Sequence, residues 1–271
     1  MQRRGERAGG HRVRWPARRT GWMAGAVTLV MTLVAVMWPM ASAPAAASAV
    51  VTVIPGARTP AVGALFSTSG GRLGSHFCTA SVVASPAGNL LVTAAHCVAG
   101  YSAVPDGLAF VPAYDNGAAP YGVWKVTRIF VDSAWASSAD ADDDVAFLAV
   151  ARTGSNRAIE DVTGGEQLGI GQAAMRVVRV TGYPDTQDRP ISCENRTIAF
   201  SSTQLEFDCD DFTNGTSGSP FLVDVGTAAG PAAVIGVIGG YQQGGDSPDV
   251  SYAAAFGPNV QALYHRAVAR S

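Results

Sequence analysis

Short apolar runs rich in β-branched residues alternate with glycine, proline, aspartate and asparagine from residue 50 onward. Runs of this length between turn-forming residues are typical of β-strands. The pattern predicts strands at residues 90–93, 123–131, 145–150, 175–181, 204–208, 220–223, 234–238 and 250–256. Two glycine-rich segments, 115–122 and 239–248, are expected to be exposed loops. The main body of the chain is therefore expected to be all-β.

Helical periodicity is expected near the C-terminus. Asn259 is a suitable N-cap, because its side chain can accept a hydrogen bond from a backbone N–H of the first turn. Val260, Leu263, Ala267 and Val268 then recur on one helical face. This pattern predicts one amphipathic helix packed against the β body.

The first 49 residues differ in composition from the rest of the chain. Residues 1–20 contain seven arginines and one acid, and residues 21–40 carry no charge. The tripeptides at 41–43 and 47–49 both fit the Ala-x-Ala cleavage pattern, so residues 1–49 are predicted to be a secretory signal peptide. A retained anchor is the alternative, because the apolar run reaches the lower length limit for a membrane span. The arginine pair 18–19 also leaves twin-arginine export open beside the general secretory route.

The predicted mature chain, residues 50–271, is acidic and long enough for one β-rich unit or two small fused ones. It has 12 basic and 20 acidic residues, a net charge of −8, because seven of the 19 basic residues and one of the 21 acids precede residue 50. Its single lysine is Lys125. Such a chain has no basic surface for nucleic acid or anionic membrane, so neither partner is expected.

Four cysteines, Cys78, Cys97, Cys193 and Cys209, would meet an oxidising compartment after export. Three pairings are possible. We expect Cys78 with Cys97 and Cys193 with Cys209, because each pair closes a short loop between neighbouring strand-like segments. No Cys-x-x-Cys pair occurs, so no metal site is expected.

One serine, Ser217, lies in a loop of small residues that reads Asn-Gly-Thr-Ser-Gly-Ser-Pro-Phe over 214–221. A serine hydroxyl is a poor nucleophile unless a base takes its proton, and a developing oxyanion needs backbone donors close by. Gly215 allows such a close approach of the backbone. The alternative interpretation is a turn of small residues between two strands.

Histidine is scarce, so few side chains could be the base. His96 follows the predicted strand 90–93 and precedes Cys97, and a disulfide there would hold its backbone rigidly, as a general base requires. His265 lies on the polar side of the predicted helix, and His76 would be an exposed loop residue or line a cleft.

A carboxylate is needed to orient the imidazole and to stabilise its protonated form. The acidic run contains Asp140, Asp142, Asp143 and Asp144, and it could also be a solvated loop. Asp144 is the best of the four, because it directly precedes the apolar strand that begins at residue 145.

Three blocks, Thr-Ala-Ala-His-Cys at 93–97, Asp-Val-Ala-Phe at 144–147 and Gly-Thr-Ser-Gly-Ser-Pro at 215–220, together resemble the signature motifs of the chymotrypsin/trypsin-like serine peptidases. Phe77-Cys78 also matches the family cysteine that bonds the one after the histidine. The resemblance covers most of residues 60–265. It implies two six-stranded antiparallel β-barrels with the active site between them, in addition to the C-terminal helix that the pattern predicts.

The resemblance also implies roles for single residues. His96 would be the general base, Asp144 its orienter and Ser217 the nucleophile. The backbone N–H groups of Gly215 and Ser217 would form the oxyanion hole. The resemblance therefore implies a secreted serine endopeptidase that acts on protein or peptide substrates through an acyl-enzyme. The enzyme is expected to be a monomer and to need no metal or organic cofactor.

Specificity stays open between basic, acidic and hydrophobic side chains. Residues 181–184, Thr-Gly-Tyr-Pro, resemble the bacterial glutamyl-endopeptidase-like branch, but Ile238 stands where that branch has the histidine that recognises glutamate. Asp211 lies six residues before Ser217, the offset of the trypsin acid that recognises basic side chains, and it could equally be a solvated acid. Phe212 and Ile238 are also compatible with a hydrophobic pocket wall.

The sequence departs from the family pattern at Thr216, and two rival functions are possible. Thr216 replaces the aspartate that receives the new N-terminus in vertebrate-type zymogens, although a short propeptide over 50–58 is compatible with the sequence. An α/β-hydrolase would place its histidine last and its elbow would read Gly-x-Ser-x-Gly, whereas here only His265 follows Ser217. The other rival is a catalytically silent family member that serves as a secreted binding module.

Overall fold

The structure is a computed structural model that describes residues 59–101, 107–228 and 230–271. The predicted signal peptide, residues 1–49, and the possible propeptide, residues 50–58, lie outside the described residues. Within these described ranges, no helix is both long enough and apolar enough to cross a membrane.

The first half of the described chain forms a closed antiparallel β-barrel with the strand order β1-β2-β3-β6-β5-β4. Its strands are β1 (Val62–Ser69), β2 (Arg72–Val83), β3 (Leu90–Thr93), β4 (Leu108–Pro112), β5 (Trp124–Val131) and β6 (Ala146–Ala151). Side chains alternate across each strand, so every second apolar residue enters the barrel. The interior contains Leu65, Ala80, Leu91, Phe110 and Leu148, all fully buried.

The second half forms two sheets around a separate apolar cluster. Its strands are β7 (Gln167–Leu168), β8 (Val177–Gly182), β9 (Ile191–Arg196), β10 (Ile198–Ala199), β11 (Gln204–Asp208), β12 (Pro220–Val223), β13 (Ala233–Val237) and β14 (Val250–Ala254). One sheet has the order β7-β13-β12-β8-β9 and the other β10-β11-β14. A β-bridge between Ile238 and Ala253 joins the two sheets. The expected all-β architecture, with a barrel and a C-terminal helix, is confirmed.

Both expected disulfides are present. The Cys78–Cys97 bond joins β2 to the turn after β3, and the Cys193–Cys209 bond joins β9 to the residue after β11. Each half of the molecule therefore has one internal cross-link.

The chain has three α-helices among its described residues: α1 (Ser133–Ser138), α2 (Glu160–Thr163) and α3 (Pro258–Val268). The prediction that Asn259 caps α3 is wrong, because Gly257 is the N-cap and Pro258 occupies the first helical position. Proline suits that position, since it has no N–H group to leave unpaired and its φ angle is already helical. The predicted apolar face is confirmed, with Val260 and Leu263 buried in the core.

Candidate active site

A cavity of about 990 Å³ lies between the two halves. His96 and Cys97 line it from the first barrel, whereas Ser217 and Ile238 line it from the second half. The segment 242–248 forms a further part of the wall. Cavities of this size with convergent polar groups are where small-molecule and peptide substrates usually bind.

His96 and Asp144 meet because their strands are neighbours. β3 and β6 pair antiparallel, with Thr93 opposite Ala146, so the residues after β3 lie beside those before β6. His96 begins a 3₁₀ turn over His96–Val98, and its neighbour Cys97 is fixed by the disulfide to the β2 strand. The pairing of the strands thus determines the contact between the imidazole and the carboxylate.

Asp144 is fully buried and accepts three hydrogen bonds. Its Oδ1 accepts the backbone N–H of His96 at 2.8 Å, and its Oδ2 accepts His96 Nδ1 at 2.8 Å and the backbone N–H of Gly240 at 2.9 Å. A buried carboxylate is stable only with such donors. Because Nδ1 donates to a carboxylate, Nε2 is the acceptor nitrogen of the neutral ring.

The other three acids of the run have different contacts. Asp140 accepts the N–H of Asp142 and caps the 3₁₀ turn Ala141–Asp143, while Asp142 accepts the Gln204 side chain at 2.7 Å. Burial raises the pKa of the Asp143 carboxyl, although a hydrogen bond from Asn259 opposes this shift. The choice of Asp144 from the sequence therefore agrees with its position beside the histidine.

Ser217 is half-buried and lines the same cavity as His96. Among the side-chain hydrogen bonds of the described residues, none joins the Ser217 hydroxyl to the His96 ring. Catalytic hydrogen bonds are often long in substrate-free enzymes and shorten in the complex, so this geometry is compatible with a nucleophile and its base.

The backbone N–H groups of Gly215 and Ser217, on either side of Thr216, are unbonded within the part of the chain that the structure describes. The N–H of Thr216 donates to the carbonyl of Thr213 at 3.1 Å, whereas those of Gly215 and Ser217 have no acceptor. Both residues line the cavity. Unpaired donors beside a serine hydroxyl are what a developing oxyanion requires.

The peptide groups that carry these two N–H groups are held from their carbonyl side. The Asn214 carbonyl accepts the N–H of Asp185 at 2.8 Å. The Thr216 carbonyl accepts both the N–H and the hydroxyl of Ser219, at 3.0 Å and 2.6 Å. The unbonded N–H groups consequently have fixed directions before any ligand arrives.

Gly215 is required by its surroundings. Its φ of 92° is in the left-handed region, and a Cβ there would lie 2.4 Å from the Asp185 nitrogen and 2.5 Å from the Tyr183 oxygen. Such distances are far inside van der Waals contact, so only glycine fits.

Of the three residues predicted for the specificity pocket, two line the cavity and one does not. Phe212 and Ile238 are buried and line the cavity. Asp211 is exposed, lies in a turn with a φ of 69°, and is not among the lining residues. Its exposure fits the alternative of a solvated acid. The acids that do line the cavity are Asp185 and Asp246.

The expectation that His76 is an exposed loop residue or lines a cleft is wrong. His76 lies in β2 with only 5% of its side chain exposed, so it is neither an exposed loop residue nor part of the cavity wall. Its Nε2 is 3.5 Å from Asp188 Oδ1, and its ring packs against Tyr114 and Tyr183. His265 is exposed, as expected.

The sequence did not predict the contribution of Gly239 and Gly240 to this site. Gly239 and Gly240 are buried, although the segment 239–248 is predicted as an exposed loop. A Cβ on Gly239 would lie 2.9 Å from Asp144 Oδ2, so the Gly-Gly pair allows the close approach that brings the Gly240 N–H to the carboxylate. The two adjacent glycines in the sequence were the feature from which this close backbone approach could have been predicted.

Cys78, His96 and Cys97 place potential ligand atoms within 4.8 Å of one another. The two sulfur atoms are bonded to each other, so they supply no thiolate for a metal. The arrangement serves instead to hold the histidine.

Solved structures of similar fold include three proteases. The protease Anisep from Arthrobacter nicotinovorans is 25% identical with a TM-score of 0.64, and the match covers 78% of this chain and 97% of that one. The thermostable serine protease AL20 from an extremophilic microorganism is 24% identical with a TM-score of 0.66, covering 79% and 99%. A Glu endopeptidase is 16% identical with a TM-score of 0.60, covering 79% and 93%. The last two likenesses concern the fold alone.

No curated protein sequence matches the chain. The family model of the trypsin-like peptidase domain matches residues 74–230, a segment that includes His96, Asp144 and Ser217. This segment is more than half of the chain, and it agrees with the β-barrel fold and with the resemblance in the three motifs. The chain belongs to the trypsin-like peptidase domain family.

Proposed function

We propose that this protein is a secreted serine endopeptidase that hydrolyses peptide bonds through an acyl-enzyme. The observation that supports it best is the single cavity in which the His96–Asp144 pair faces Ser217 and the unbonded N–H groups of Gly215 and Ser217. Each group has a defined part in peptide-bond cleavage.

In the proposed mechanism the Ser217 oxygen attacks the scissile carbonyl while His96 Nε2 takes the hydroxyl proton. Asp144 keeps the proton of the neutral ring on Nδ1 and stabilises the imidazolium. The N–H groups of Gly215 and Ser217 bind the oxyanion. The imidazolium then protonates the leaving amine, and a water molecule, deprotonated by the same ring, hydrolyses the acyl-enzyme.

The proposal includes export and processing. Residues 1–49 act as a signal peptide, residues 50–271 form the exported chain, and residues 50–58 are a short propeptide if the mature chain begins at Thr59. The two disulfides suit an oxidising compartment. Thr216 argues against activation by an ion pair to a new N-terminus, because it has no charge to offer.

The intact mass of the exported protein, before and after treatment with a fluorophosphonate, tests the proposal. We expect one adduct on the native protein and none on Ser217→Ala, because only an activated serine reacts. The untreated mass also gives the mature start. No adduct on folded, processed native protein would contradict the protease assignment and favour the silent binding module.

A further inference from the structure

Thr79 is a fully buried threonine that links the first barrel to the Ser217 loop. It lies in β2, directly after Cys78. Its hydroxyl donates to the Gly215 carbonyl at 3.0 Å and accepts the backbone N–H of Tyr183 at 2.9 Å. A hydroxyl that both donates and accepts in a buried site holds two backbone segments at a fixed spacing.

The backbone of Thr79 makes a second connection to the same loop. Its N–H donates to the Ser217 carbonyl at 2.8 Å, and its carbonyl accepts the Thr93 hydroxyl at 2.7 Å. The peptide group that carries the Ser217 N–H lies between the Gly215 and Ser217 carbonyls. Thr79 bonds to both carbonyls, so one residue of the first barrel fixes the backbone before and after this peptide group.

The bond to Tyr183 extends this support to the other unbonded donor. Tyr183 lies two residues before Asp185, whose N–H fixes the Asn214 carbonyl and thereby the peptide that carries the Gly215 N–H. The Thr79 hydroxyl therefore touches both backbone segments that determine where Gly215 lies.

We propose that Thr79 is a positioning residue for the oxyanion hole, with its hydroxyl holding the Gly215 and Ser217 N–H groups in their productive directions. This inference rests on the proposed peptidase function. An oxyanion exists in the transition state and not in the bound substrate, so the loss of its alignment lowers kcat and leaves KM nearly unchanged.

Thr197 provides a matched control. It is fully buried, and its hydroxyl also donates to a backbone carbonyl, that of Ala174, and accepts a backbone N–H, that of Arg176 at 3.1 Å. It lies between β9 and β10 and does not line the cavity. Thr197→Val therefore reproduces the structural cost of losing such a hydroxyl without touching the Ser217 loop.

The experiment measures kcat, KM and the melting temperature for the native protein, Thr79→Val, Thr79→Ser and Thr197→Val on one peptide substrate. We expect Thr79→Val to lower kcat by about 10- to 100-fold, with KM changed by less than about threefold. Thr79→Ser keeps the hydroxyl and should stay within about threefold of the native kcat. Thr197→Val should lower the melting temperature and leave kcat unchanged.

A folded Thr79→Val with native kcat, a change confined to KM, or a Thr79→Ser variant as slow as Thr79→Val would each overturn the inference. If Thr79→Val does not fold, Thr79→Ala is compared with Thr197→Ala: a lower kcat in the former alone supports the inference, and equal kcat values overturn it. Failure of the peptidase proposal is distinct, because the native protein itself would then show neither turnover nor a fluorophosphonate adduct.

Discussion

Asp144 and Glu166 are both buried carboxyl groups, and their surroundings differ. Asp144 has three donors around it, whereas the side chain of Glu166 has no hydrogen-bond partner among the described residues. Burial alone raises the pKa of Glu166 to about 7. Its backbone bonds to Val82 in β2 and to Ala84 directly after it, so the segment that carries this carboxyl is held against the first barrel.

Glu166 should make the stability of the fold depend on pH. Its folded-state pKa lies above the ordinary value of 4.5, so its stabilising contribution is complete below pH 4.5 and is lost as the pH rises through 7. Between pH 4.5 and 8 the native protein should lose up to about 3 kcal/mol of unfolding free energy relative to Glu166→Gln, which has no charge to bury. Denaturant unfolding at several pH values measures this difference.

Glu194→Gln is the control for that experiment, because Glu194 is exposed and pairs with Arg179 on the surface. Its unfolding free energy should follow the native pH dependence. A Glu166→Gln variant that also follows the native curve would contradict the assignment of this pH dependence to Glu166.

The effect of the same kind of cross-link can be compared at two places in the fold, because each half has one disulfide. The two disulfides close loops of similar length, with sequence separations of 19 and 16, so their effects on the unfolded chain should be alike. Only the Cys78–Cys97 bond connects the residues beside Thr79 and His96. Replacing either pair by alanine should lower the unfolding free energy by about 3 kcal/mol.

Activity should separate the two disulfide variants. We expect the variant without Cys78 and Cys97 to lose kcat, because the histidine loses its rigid mounting, and the variant without Cys193 and Cys209 to keep the native kcat. Peptide hydrolysis at a temperature where both variants are folded provides the measurement. Equal activities would show that the bond near His96 has a stabilising role only.

The pattern of apolar runs predicted the exact bounds of some strands and missed others, including β4, in which every residue is apolar. β3, β11 and β12 have the predicted bounds. β2, in contrast, contains Gly74, Ser75 and His76, which interrupt the pattern, although its neighbours in the barrel hold it as one strand. β9 was missed because only two of its six residues, Ile191 and Cys193, are buried and apolar.

The triad residues and the oxyanion-hole donors of the candidate site were predicted from the sequence, and the Gly240 donor to Asp144 was not. His96, Asp144 and Ser217 are marked by their residue type and by the apolar strands beside them. The Gly240 N–H approaches Asp144 across 96 residues of chain. Such a contact is set by the packing of the two halves and has no local pattern. Thr79 was missed for the same reason, since its partners all lie more than 100 residues away except Thr93.

At the scale of the whole molecule, the cavity has the same sign of charge as the predicted mature chain. Asp185 and Asp246 line it, and no lysine or arginine does so among the described residues. The predicted mature chain carries a net charge of −8. Fields of one sign around a cleft favour ligands of the opposite sign.

Substrate charge should therefore affect the rate. We expect peptides with lysine or arginine near the cleaved bond to have a higher kcat/KM than peptides that differ only in having glutamate there, and the ratio should fall as salt screens the field. A series of matched peptides at low and high ionic strength measures this. Faster cleavage of the glutamate peptides would contradict it and would indicate a cation that the cavity wall does not show.

The division of the cavity between the two halves has a consequence for synthesis. His96 and Asp144 belong to the barrel that leaves the ribosome first, and Ser217 belongs to the half that leaves last. Under the proposed function, a nascent or half-folded chain holds a base without its nucleophile. Such a chain cannot cleave itself or its neighbours. Proteolytic activity therefore begins only when the last strands have packed against the first barrel.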